Sequence, residues 1–278
     1  MGSNLGGLYE FDSAGIRPIA PGWPLEHDGI PSIAEDSTGN VWVASGSNGA
    51  AKLFRHGFVT FDHSDGITEV PRSILVDQAG QVSVVCGSRQ LSVFDGSRFR
   101  TVTLRLPGIG AMSTISVSSL LQDHTGEWWV GTRSGLYRFA KVVRAADLAG
   151  RSPKAVFTRA QGLADDDASL LFEDSRGDLW IGAFGPAKTG VTRWERNSGR
   201  FFHYSDSDGI EAFNAPTAIA EDHNGGIWIG FREGGLACYR HGRFQRFGAE
   251  AGVPAGWIKA LLVDQSGRLY LVGAILQR

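Results

Sequence analysis

Leu120-Leu-Gln-Asp123-His-Thr-Gly126-Glu-Trp-Trp129-Val-Gly131-Thr132-Arg-Ser-Gly135-Leu136-Tyr-Arg-Phe139 reads as two strands joined by a tight turn, followed by a third strand. The Asp opens the turn by accepting backbone N–H groups, and the Gly three residues later supplies a backbone position with φ > 0. Aromatic and β-branched residues on either side of the turn favour a pleated, buried surface.

Working outward, the same phrase recurs. Asp36, Asp77, Asp123, Asp174, Asp222 and Asp264 are each followed three residues on by Gly39, Gly80, Gly126, Gly177, Gly225 or Gly267. Trp42, Trp129, Trp180 and Trp228 stand six residues after their Asp, with Ser83 and Tyr270 in the other two copies. The Asp positions are 41, 46, 51, 48 and 42 residues apart, a period in the range of four-stranded repeats. Each unit holds an apolar run before the Asp (strand A), the return run after the Gly (strand B) and a third run such as Leu91-Ser-Val-Phe94 (strand C). A fourth, such as Phe244 to Phe247, is strand D. Four antiparallel strands in about 46 residues cannot bury both faces alone, so the units must stack. An aromatic signature in four-stranded units describes an all-β fold, a β-propeller of antiparallel blades. The whole of 1–278 is expected to be one propeller domain, with an insertion at 140–155.

The termini carry a further expectation. The last unit stops after strands A and B, while Gly7-Leu-Tyr-Glu-Phe11 and Ile16 to Ile19 read as strands C and D. Two strands from each end would complete a sixth blade and remove the open sheet edge. The alternative is part of a seven-bladed ring.

Composition excludes several classes. A net charge of -2 and 20% charged residues exert no general pull on nucleic acid or on an anionic membrane. No apolar run reaches the roughly 18 residues of a membrane-spanning helix, and Met1 to Leu5 lacks the basic and apolar regions of a signal peptide. Cys86 and Cys238 fall three units apart, so both are expected as free, buried side chains. The seven histidines have no metal-ligand spacing, and no Ser-His-acid or Cys-His set gathers on one face. No catalytic residue, metal site or cofactor is therefore expected. The repeated Asp residues read as turn formers and the repeated Trp residues as blade core. Asp165-Asp166-Asp167 reads as a solvated linker rather than a Ca²⁺ site.

Strand order places the B–C loops and D–A linkers on one face, where pockets favour concave junctions. The B–C loops hold Arg89, Arg133, Lys188, Phe231 and Arg232, and the D–A linkers hold Trp23, Arg72, Asn214, Trp257 and Lys259. Arginine and lysine there suit an anionic or polar ligand, and Trp23 and Trp257 suit stacking on a sugar ring. The competing reading is solvated loop charge with aromatics covering blade edges.

The phrase Ile-x-x-Asp-x-x-Gly-x-φ-Trp-φ-Gly-Thr-x-x-Gly-Leu-x-x-Phe resembles the two-component regulator propeller repeat. The unit quoted first is nearest to it, and the second unit departs most, with Ser83 for Trp and Val85 for Gly. The resemblance implies an extracytoplasmic sensor region of a bacterial receptor, placed periplasmic or extracellular ahead of a membrane segment and an output domain. It also implies noncatalytic recognition of a small polar or carbohydrate ligand. Two other readings stand beside it. One is a protein-interaction platform, docking a second copy or a neighbouring receptor domain. The other is a propeller lyase, against which the scattered histidines argue.

The shared sixth blade predicts that deleting residues 1–20 lowers the melting temperature. An unchanged melting temperature in the truncated chain would refute the latch.

Overall fold

Each Asp-x-x-Gly phrase folds as expected because one carboxylate satisfies the whole turn. Oδ1 of Asp123 accepts the N–H groups of Thr125 and Glu127, both at 3.0 Å. Asp36, Asp77, Asp174 and Asp222 repeat this pairing with residues two and four positions on. The glycine completes the turn with positive φ, +77° at Gly80 and +85° at Gly126. Asp264 and Gly39 lie outside the described residues.

The computed structural model describes residues 9–12, 15–18, 32–36, 38, 40–45, 49–54, 57–86, 89–108, 116–184, 189–210, 214–253, 256–263 and 267–274. Among these there is no α-helix. A hairpin, β1 (Tyr9–Asp12) and β2 (Gly15–Pro18), precedes the first blade of β3 (Ser32–Glu35), β4 (Val41–Ser45), β5 (Gly49–Phe54) and β6 (Gly57–Phe61). Blade 2 comprises β7 (Ser73–Val76), β8 (Val82–Val85), β9 (Gln90–Phe94) and β10 (Phe99–Thr103). Blade 3 comprises β11 (Val117–Gln122), β12 (Trp128–Thr132), β13 (Gly135–Phe139) and β14 (Ala155–Phe157). Blade 4 holds β15 (Leu170–Glu173), β16 (Leu179–Phe184), β17 (Thr189–Glu195) and β18 (Arg200–Tyr204). Blade 5 holds β19 (Pro216–Glu221), β20 (Ile227–Phe231), β21 (Leu236–Arg240) and β22 (Arg243–Phe247), and β23 (Trp257–Val263) with β24 (Leu269–Ala274) forms the last hairpin. Every pairing is antiparallel and follows chain order within its sheet. The all-β propeller-blade architecture is as the repeat predicts.

The insertion is one residue shorter than its sequence boundary. Ala155 already belongs to β14, which Lys154 N–H brings into register by donating to Arg138 O at 2.7 Å. The chain divides into two compact units. One is residues 1–107 with 141–152, and the other is residues 108–140 with 153–278.

Within each unit the indoles hold neighbouring blades together. Trp42 packs on Phe94 and Phe99 of blade 2, with ring centroids 5.0 and 6.0 Å away. In the second unit, Trp129 meets Trp194 of blade 4 at 5.0 Å and Trp180 meets Tyr239 of blade 5 at 5.1 Å. In blades 3, 4 and 5 a glycine follows the Trp-φ pair, where the first blade has Ala44, and it allows close approach: a Cβ on Gly230 would lie 2.4 Å from Ile258 Cγ2 of β23, and one on Gly131 would lie 2.0 Å from Ala168 O. A carboxylate clamp adds to the packing. Glu173 of blade 4 accepts His124 N–H of blade 3 at 2.7 Å, and Glu221 of blade 5 accepts Ser175 N–H of blade 4 at 2.7 Å. Cys86 and Cys238 are free and buried, and burial raises both thiol pKa values.

The second carboxylate oxygen of Asp36, Asp123, Asp174 and Asp222 reaches into the blade. Oδ2 accepts the indole N–H of Trp42, Trp129, Trp180 and Trp228 at 2.9, 2.9, 3.0 and 2.7 Å. A cation balances the buried charge: Lys52 lies 3.1 Å from Asp36, Arg196 2.8 Å from Asp123 and Arg176 2.7 Å from Asp174, while Arg240 pairs with Asp222. Burial alone would raise the pKa of these carboxyls. At Asp36, Asp123 and Asp222 the hydrogen bonds and cations outweigh it and hold the groups below the usual carboxylate range.

Two outcomes follow from this arrangement. Trp180 is fully buried, so Trp180→Ala is expected to cost about 3–5 kcal/mol in denaturant unfolding; a loss below about 1 kcal/mol would contradict its place in the core. Because the folded carboxyl pKa values are depressed, the unfolded chain binds more protons in acid. Their contribution to stability is complete above about pH 5 and is lost progressively below about pH 4. A melting temperature that stays flat from pH 7 to pH 3 would show that these carboxylates do not govern acid stability.

Candidate functional site

On blade 5 three connections converge on the face expected for ligands. The linker arriving at Asn214, the β20–β21 loop and the linker leaving β22 surround a cleft of about 430 Å³. Its walls include Asn214, Phe231, Glu233, Arg246, Glu250 and Val253. Asn214 fixes the loop from a buried position: its Nδ2 donates to Gly234 O at 3.0 Å and its Oδ1 accepts Glu233 N–H at 2.8 Å. Arg232 N–H donates to Ala215 O at 2.9 Å, a second tie between the same loop and linker. The leaving linker makes a 3₁₀ turn over Ala249–Ala251, closed by Gly252 at φ +79°, and turns Val253 inward. The Gly248 N–H held by Glu250 at 2.7 Å, with Arg246 nearby, lowers the Glu250 carboxyl pKa.

Beside this loop stands a second cluster. Arg232 Cζ lies 5.6 Å and Lys259 Nζ 5.5 Å from the Trp257 ring centroid. Lys259 comes there through a bulge: β23 pairs Ile258 with Gly273 and then Ala260 with Val272, leaving Lys259 as the extra residue. Bulges re-aim side chains in this way. Burial pushes the Lys259 ammonium pKa down, so an anion beside it would recover part of that desolvation. The Trp257 indole N–H is buried and has no hydrogen-bond partner among the described residues.

The structure therefore gathers five of the sequence candidates, Asn214, Phe231, Arg232, Trp257 and Lys259, around blade 5 and the last hairpin. Their roles differ from the simplest expectation. Trp257 and Lys259 belong to β23 rather than to the linker, because the bulge lengthens that strand. Phe231 is 5% exposed at the end of β20 and packs in the blade core as well as lining the cleft. Arg133 is exposed in the β12–β13 turn of blade 3. Arg72 and Arg89 are exposed on blade 2, in the other unit, their backbones bonded to Val85 and Leu104. Trp23 and Lys188 lie outside the described residues. Glu233, Arg246 and Glu250 were not singled out by sequence, since isolated charges on a strand and a short turn form no motif. Among the described residues, no three His, Cys, Asp or Glu side chains come together to hold a metal ion.

Comparison with known proteins agrees with this architecture. The family model described as two component regulator propeller matches residues 24–47, across the first hairpin phrase. No curated protein matches the chain. Among solved structures, the extracellular domain of BT4673 from B. thetaiotaomicron, described as a hybrid two component system, is similar with a TM-score of 0.65 at 14% identity. That match covers 88% of this chain and 39% of the other. The WD40 propeller domain of Doa1 matches with a TM-score of 0.68 at 12% identity over 98% of this chain and 83% of that one. Virginiamycin B lyase from Staphylococcus aureus matches at 0.62 and 12% identity, over 87% and 76%. This chain thus carries a two component regulator propeller repeat and shares the β-propeller fold with extracellular domains of two-component receptors. It spans about two fifths of the length of those domains.

Proposed function

We propose that this propeller is a noncatalytic sensing module of a bacterial signalling receptor, working outside the cytoplasm. Its ligand is a small polar molecule, and a carbohydrate bearing an anionic group fits the site best. The observation that carries this reading is the Arg232–Trp257–Lys259 cluster, where two cations and a free indole N–H stand beside a cleft. Arg232 offers a planar donor fork, Lys259 a partly desolvated ammonium and Trp257 an apolar edge with one donor, a set that binds without transferring a group. The repeat match and the likeness to extracellular receptor domains support the sensing role and the location.

A thermal-shift screen against neutral and acidic oligosaccharides and small anions tests the reading. A ligand at 100-fold its Kd stabilises by about 2.7 kcal/mol, which raises the melting temperature by several degrees. The shift is expected to disappear in both Arg232→Ala and Lys259→Ala. No shift with any compound, together with a stable dimer in solution, would replace ligand sensing with protein docking.

A further inference from the structure

Blade 2 breaks the pattern that the other blades keep. Ser83 pairs with Leu75 in the register where Trp42 pairs with Ala34 and Trp129 with Leu121. Ser83 is fully buried, and its Oγ has no hydrogen-bond partner among the described residues. The cation is missing as well: among the described residues no Lys or Arg pairs with Asp77, whereas Lys52, Arg196, Arg176 and Arg240 pair with the corresponding Asp of the other blades, and Val93 stands opposite Ser83 where Lys52 stands opposite Trp42. Asp77 is nevertheless buried and keeps its turn bonds through Oδ1. A buried carboxylate whose inner oxygen lost its donor would carry a large desolvation penalty.

That oxygen is occupied from elsewhere in the chain. Asp77 Oδ2 accepts the backbone N–H of Ala145 at 3.1 Å, across 68 residues of sequence. Ala145 opens the 3₁₀ turn Ala145–Leu148 within the 141–152 segment, which belongs to the same compact unit as blade 2. Ala145 and Leu148 are fully buried and Val142 is nearly so. The segment is braced internally, with Arg144 N–H on Asp147 Oδ2 at 3.1 Å and Arg151 Nε on Asp147 O at 2.9 Å.

We infer that residues 141–152 are a strap that stands in for the missing Trp of blade 2. The strap returns a donor to the hairpin carboxylate and adds the apolar cover that an indole supplies elsewhere. Ser83 and the insertion are then two halves of one change, and the insertion is a structural part of blade 2 although its sequence interrupts blade 3.

Ala145→Pro in the full chain tests the strap directly. Ala145 is the first residue of its turn, where the N–H is not needed for the turn itself, and Arg144 before it is extended at φ -125°, ψ 154°, as proline requires. The substitution removes the donor to Asp77 and leaves the turn able to form. Amide hydrogen exchange is expected to quicken by about tenfold across 73–94, in line with the loss of one hydrogen bond. Exchange across 117–139, where Asp123 keeps Trp129, is expected to stay unchanged. Ser83→Trp provides a second reading. It should lower the melting temperature of the intact chain, where the carboxylate is already occupied, and raise that of a chain whose residues 141–152 are replaced by a short Gly-Ser linker. Unchanged exchange across 73–94 in Ala145→Pro, or an effect of Ser83→Trp with the same sign in both backgrounds, overturns the inference.

Discussion

The structure depends on a carboxylate shared between two tasks. One oxygen of the hairpin Asp takes the two turn N–H groups that shape the A–B connection, and the other takes an indole N–H that fixes how the Trp enters the blade. Local turn chemistry and packing between blades are thereby coupled through one side chain. A charge-assisted hydrogen bond in a poorly hydrated place is worth more than the same bond at the surface, and leaving it unmade costs more. The arrangement needs a Trp six residues from its Asp and a cation close by.

Much of this was legible in the sequence because it repeats. Six copies of Asp-x-x-Gly at similar spacing define the hairpins, and Gly80, Gly126, Gly177, Gly225 and Gly267 adopt the positive φ that the turn requires. The candidate cleft on blade 5 lies among a B–C loop and two D–A linkers, connections that strand order places on one face. Less visible was whatever depends on a single extra residue or on distance along the chain. The bulge that presents Lys259 adds one residue to β23 and leaves no composition signal. Ala145 meets Asp77 through a backbone N–H, a group that every residue except proline carries, so side-chain patterning could not reveal it. Asn214 reads as a ligand contact in sequence, and in the structure its amide nitrogen and oxygen each make one bond to the adjoining loop.

The glutamate clamps give the second unit an uneven character. Glu173 and Glu221 each immediately precede a hairpin Asp and tie their blade to the turn of the blade before it. Val263 occupies the corresponding position ahead of Asp264, so the last hairpin has no such carboxylate to offer blade 5. Among the described residues they are joined by apolar contact around Ile258 and Leu261 with Trp228 and Leu236, by the bond from Thr217 Oγ1 to Ile258 O and by Arg232 over Trp257.

In a stacked array, stability is close to a sum of terms within each repeat and between neighbours. Arg232 comes from blade 5, while Trp257 and Lys259 come from the hairpin beyond it, so the cation–indole cluster straddles the junction of two repeats. A molecule seated there would touch two repeats at once, a splint laid across their seam.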